Sequence, residues 1–138
     1  MSLKSPEAAL RSQLVANAAV TAIVGSRVYP LLAPSDAALP FVTWRRSGIV
    51  RQHSLAGPVG SPTVSVEFQL YAETYNAVRE LADKARQVLD GWGGTVDTVE
   101  VKHVSLEQEY DGFVQLAGSE VPPIYTVVQV YNALWQEI

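Results

Sequence analysis

Cysteine is absent from this chain. Disulfides, thiolate zinc sites and cysteine nucleophiles are excluded with it, and a reducing compartment fits. Histidine is scarce. His53 stands in a stretch rich in glycine and proline, His103 in an alternating one, and neither has a second histidine two or four residues away. Nothing marks the carboxylates that would complete a metal site, so both read as solvated. No Gly-x-Ser-x-Gly occurs, and no histidine is placed as base for Ser54 or Ser61. Gly91-Trp92-Gly93-Gly94 follows a helical pattern and precedes a strand. A phosphate cradle needs the reverse order, so this is a plain turn. Glu107, Glu109 and Asp111 alternate but lack the glycine and terminal glutamate of a calcium loop. They read as a solvated acidic face. We expect no cofactor, no metal and no enzymatic activity. No apolar run approaches the ~18–20 residues that span a bilayer, and residues 1–6 lack a signal-peptide core. Synthesis in the cytosol, with no membrane contact, is expected.

Charge is also sparse. Charged residues make up 17% of the chain, against roughly a quarter in ordinary soluble domains. Either part of the surface is meant to be covered, or this is a small domain with a neutral polar surface. The 138 residues suffice for one domain, 1–138, with a core that needs no staples. The net charge of −4 is divided. Residues 1–62 hold six cations against two acids; residues 63–138 hold four cations against twelve acids. Arg45, Arg46 and Arg51 beside Trp44 are a weak nucleic-acid signal in an acidic chain.

What the chain does have is pattern. Val64, Val66, Phe68 and Leu70 alternate with Thr63, Ser65, Glu67 and Gln69, which predicts a half-buried strand. Val78, Leu81, Ala82, Ala85, Val88 and Leu89 then recur at helical spacing, with Thr74 as N-cap and Gly91 just past the end. The helix is expected to fold back and bury Phe68 and Leu70 against Leu81, Ala85 and Val88. Upstream, Ser5-Pro6-Glu7 starts a helix carrying Leu10, Leu14 and Ala18, and a second short helix stops at Gly25. Residues 28–32 read as extended and apolar, and residues 41–46 as a strand. Residues 47–62, with five glycines or prolines, read as a long loop expected to be mobile in the free subunit. Residues 96–107 form a third strand whose imperfect alternation suggests a bulge or an edge position. Residues 110–123 read as irregular and residues 124–133 as the last strand. The order ααββαββ predicts an α+β fold: a largely antiparallel four-stranded sheet with one long helix packed on it and N-terminal helices.

Several of these pieces, in this order, resemble the phage tail completion (tail terminator) family. They are Leu10, Leu14 and Ala18-Ala19-Val20; Ile23-Val24-Gly25-Ser26-Arg27-Val28-Tyr29-Pro30; and Ala38-Leu39-Pro40-Phe41-Val42-Thr43. They continue with His53-Ser54-Leu55-Ala56-Gly57, Val64 to Ala72, and the helix after Thr74. Residues 25–30 and 39–42 are the most specific part. These are packing and turn residues, so the match carries over no active site. The resemblance implies a structural virion protein of the tail's neck region, forming a homo-hexameric ring that caps the tail tube. Its implied partners are copies of itself, the major tail tube protein and a head-closure or neck protein, with genomic DNA passing through the lumen. A small ligand-binding or enzymatic domain, with its site between sheet and long loop, is the competing reading. Another neck protein of the same particle is a third.

A closed ring needs two different surfaces that meet. Arg45, Arg46 and Arg51 are expected to form one, with His53 in the adjoining loop. Glu100, Glu107, Glu109, Asp111 and Glu120 form the other, with exposed Trp44 or Trp135 as apolar anchors. Alternatively both patches are solvated, or the arginines face DNA in the lumen.

Overall fold

The computed structural model describes residues 5–34, 37–51, 53–55, 57–58, 62–96, 98–114 and 123–136. Its elements run α1 (Pro6–Ala16), α2 (Ala18–Val24), β1 (Val28–Pro30), β2 (Phe41–Val50), β3 (His53–Ser54) and β4 (Gly57–Pro58). β5 (Thr63–Ala72), α3 (Tyr75–Leu89), β6 (Gly94–Val96), β7 (Val99–Val114) and β8 (Ile124–Gln136) follow. The helix signals act as their chemistry predicts. Ser5 caps α1 by accepting from the Ala8 N–H at 3.2 Å, with Pro6 in the first turn. Thr74 caps α3 through the Ala77 N–H at 3.1 Å. Gly25 ends α2 at φ +60°, and Gly91, one residue past the α3 C-cap, turns the chain at φ +83°. Between α1 and α2, Asn17 accepts from the N–H groups of Ala19 and Val20 and starts the second helix.

The fold is α+β, but the sheet has six strands rather than four, in the order β1-β2-β5-β8-β7-β6. All neighbours are antiparallel except β1 and β2. The extra strands are the three-residue edges. β1 falls in the segment read as merely extended, and its Pro30 is tolerable because the strand is an edge. β6 falls where a turn was expected to pass directly into the third strand. β2 runs on to Val50 and β7 to Val114, well past the expected ends. In β7 the pairing register shifts between Val101 and His103 and again between Leu106 and Gln108. Each bulge resets the period. Val99, Val101, Val104 and Leu106 therefore share the core side despite their uneven spacing. The expected loop 47–62 carries the end of β2 and a two-stranded ribbon, β3 with β4.

All three helices cover one face of the sheet. Val64, Val66, Phe68 and Leu70 of β5 are fully buried there with Leu81 and Ala85 of α3, and Val88 packs against them. Phe68 meets Tyr131 of β8 edge-on, with ring centroids 5.8 Å apart. Burial of each such side chain contributes about 1.5–3 kcal/mol. The opposite face carries no helix. Yet Glu67 and Thr43, which point to that side, are only 7% and 6% exposed.

Candidate functional site

Successive residues of a strand face opposite ways, and this separates the expected arginine patch. Register pairs Arg45 with Glu67, Thr43 with Gln69 and Phe41 with Tyr71 on the helix-free face. Arg45 Nε donates to Glu67 Oε2 at 2.8 Å, and Gln69 Nε2 donates to the same oxygen at 3.3 Å. The Tyr71 hydroxyl donates to Gln69 Oε1, and its ring stacks on Phe41 at 4.6 Å. The Glu67 carboxylate, by hydrogen bond and then by charge, raises the Arg45 guanidinium above its ordinary pKa. Arg46 points the other way and reaches Glu7 of α1 at 2.7 Å. Arg51 is exposed at the end of β2, and His53 lies in β3 opposite Pro58.

The tryptophans correct the expectation of exposed anchors. Trp44 is half-buried and packs against the core, and Trp135 is 7% exposed. Their registers, opposite Phe68 and Val101, put both on the helix side. Both indole Nε1 atoms are buried with no hydrogen-bond partner among the described residues.

The acidic run is also divided. Arg79 of α3 pairs with Glu109 at 3.1 Å and with Asp111 at 3.2 Å. The Tyr75 hydroxyl donates to Asp111 at 2.8 Å. That bond, then burial and the charge of Asp111, raise the Tyr75 phenol. Glu109 Oε2 accepts from Gln129 Nε2 at 2.6 Å. Gln129 is fully buried; its amide also donates to the Ala82 carbonyl, and its oxygen accepts from the Tyr131 hydroxyl. Glu107 sits at a bulge, exposed, and accepts from the Ser105 hydroxyl at 2.7 Å. Glu100 is exposed, and Glu120 lies outside the described residues. Most of the charges marked as interface are thus held by partners within the chain. Those partners, Glu7, Glu67 and Arg79, lie 22 to 39 positions away. Arg45 and Glu67 are register partners in the middle of two antiparallel strands, a pairing that the linear pattern does not show.

A feature the sequence did not mark lies at the end of the helix-free face. Leu31 and Leu32 are 73% and 83% exposed beside a groove of about 360 Å³ that Pro34, Phe41, Tyr71 and Ile124 help to line. Leu31 stands at φ +62°, and its N–H donates to the Trp44 carbonyl at 2.7 Å. A branched residue there stores roughly 1–3 kcal/mol of strain. The groove offers only Thr43 and Tyr71 as polar side chains and no nucleophile–base pair. Among the described residues no group of three metal-ligating side chains forms. Among the described residues no helix is long and apolar enough to cross a membrane.

No curated protein matches the chain. Among solved structures, a chain from the virion of a native gene transfer agent particle aligns with a TM-score of 0.78. The alignment covers 96% of this chain and 95% of that one at 16% identity, a likeness of fold. The family model described as Tail completion protein gp17 matches residues 8–121. That span runs from α1 through β7. The chain belongs to the tail completion protein gp17 family, and it is a structural, non-enzymatic protein of the phage virion tail.

Proposed function

We propose that this chain is the ring-forming subunit that closes the head-proximal end of the tail tube and joins it to the neck. The observation that carries this reading is the one-sided sheet. All three helices lie on one face, and the other is left as a broad polar surface. At its centre Glu67 neutralises Arg45, and the Ser65 hydroxyl donates to Asn132 Oδ1 at 2.7 Å. A surface already satisfied within the subunit suits contact with neighbours and with a passing chain of nucleic acid better than it suits catalysis. In this reading six copies form the ring. The tail tube protein and a head-closure protein meet its two ends, and genomic DNA crosses the lumen without being gripped. Exposed Arg51 and Glu107, with His53 in its ribbon, are the singled-out residues best placed at subunit or neck contacts.

Native mass spectrometry of the purified chain tests the ring: a discrete hexamer supports it. Micrographs of particles made without the protein test the position. Tubes of uncontrolled length and heads without tails are expected. Normal particles, with a chain that stays monomeric at every concentration, sink the proposal.

A further inference from the structure

Both ends of the sheet are cut as steps. β1 covers only Val42 to Trp44 of β2, and β6 covers only Val99 to Val101 of β7. The Gly91 N–H and the Trp92 carbonyl extend that cover to Val104, and Asp90 Oδ1 takes the Leu106 N–H at 3.0 Å. Beyond these, no described strand pairs with the outer edge of residues 45–50 or of residues 107–114. An open edge presents a row of unpaired N–H and C=O groups and is a template for another strand.

The two open runs lie at opposite levels. Val50 is level with Thr63, Leu134 and His103, while Phe41 is level with Tyr71, Thr126 and Gly112. The open part of β2 therefore sits at the His103 end, and the open part of β7 at the Gly112 end. Each short edge strand fills the level that the opposite edge leaves bare.

We infer, on the basis of the ring reading above, that successive subunits join by strand pairing: the open run of β2 on one copy pairs with the open run of β7 on the next. The two edges differ, so the contact is head-to-tail and propagates into a ring rather than stopping at a dimer. Strand direction agrees. β2, β5, β8 and β7 alternate, so β7 runs opposite to β2. A rotation about an axis near the strand direction brings them together antiparallel, like most neighbours within the sheet. Charge disfavours the alternative pairing. The β7 run carries Glu107, Glu109 and Asp111. Pairing β7 with another β7 would set carboxylates against carboxylates. Bulges at Ser47 and Glu107 break the regularity of each run and disfavour an arbitrary strand. The midpoints of the runs differ in level by about five residues, roughly 17 Å at strand rise. Strands in the joined sheet therefore tilt to the ring axis, as closure of a sheet requires.

Amide hydrogen exchange on the multimer and on the dilute monomer tests the pairing. Alternate amides in residues 45–50 and 107–114 should slow about tenfold or more in the multimer, because a ladder bond must open before exchange. The absence of cysteine gives a second readout. Val50→Cys with Gln108→Cys, and Gly48→Cys with Tyr110→Cys, should oxidise to a covalent ladder, whereas each single variant should not. A multimer in which both runs exchange as in the monomer and neither double variant forms a ladder overturns the pairing and leaves the ring standing. A chain that stays monomeric overturns the ring first, and the two failures are told apart by mass alone.

Discussion

Phe68 fills the space between β5 and Tyr131 and is 1% exposed. Phe68→Ala is expected to cost ~3–5 kcal/mol, the transfer term plus the cavity, read from denaturant unfolding. A loss under about 1 kcal/mol would mean that the site collapses around the missing ring. Tyr131 itself couples folding to pH. Burial, then the charges of Glu109 and Asp90, push its phenol well above the ordinary value of about 10. The unfolded chain gives up this proton near pH 10 and the folded chain does not. The contribution is therefore whole below about pH 10 and is lost as pH rises from there toward the folded value. Wild-type stability should fall more steeply than that of Tyr131→Phe between about pH 9.5 and 11.5. Equal slopes would show that the phenol is not the group responsible. At neutral pH the variant should lose about 1 kcal/mol, the hydrogen bond to Gln129.

At the scale of elements, Arg79 fastens the first turns of α3 to the outer half of β7 through Glu109 and Asp111, with Asp83 at 4.0 Å. Arg79→Gln leaves three carboxylates without their cation. The expected cost is about 1 kcal/mol, smaller at high salt because the group is partly exposed. Exchange should quicken in residues 109–114 and hold steady in residues 99–104. Uniform change along β7 would argue against a local clamp. The same elements show what was legible in the sequence. β5 and α3 could be read because each holds one period from end to end and carries its own caps. β7 was legible as a bulged strand only as far as residue 107, because the second of its two bulges shifts the alternation and the period after it looks like a new segment. The arginine patch was misread for a related reason. Neighbours in sequence look like a cluster, but on a strand Arg45 and Arg46 point to opposite faces, one toward Glu67 and the other toward Glu7. Trp44 and Trp135 looked like surface anchors only because their cross-strand partners, 24 and 34 positions away, are not visible in a linear pattern. The groove beside Leu31 left no trace because it depends on one residue held at positive φ.

For the whole molecule, the segment between β2 and β5 is expected to serve assembly rather than folding. Val50 and Thr63 are register partners, so a two-residue turn can join them directly. Replacing residues 51–62 by Asn-Gly should keep stability within about 1–2 kcal/mol, the larger part being the Trp135 N–H bond to the Pro62 carbonyl. Multimer formation should weaken markedly. Thermal melts and native mass spectra on the same samples check both halves, and an unfolded variant or an unimpaired ring would each count against the assignment.

The place of β8 has a consequence for how the molecule comes into being. It is the last strand in chain order, yet it lies between β5 and β7, with Thr63 paired to Leu134 across 71 positions. Until β8 is available, β5 lacks one neighbour and β7 lacks its long partner. Tyr131 and Gln129 are likewise missing from the core beneath α3. The sheet thus assembles from distant segments, the regime in which loop closure comes before reward and folding takes milliseconds to seconds rather than microseconds. On the ribosome the earlier strands must wait with their edges bare, and the core closes in a single late step when the final hairpin is inserted.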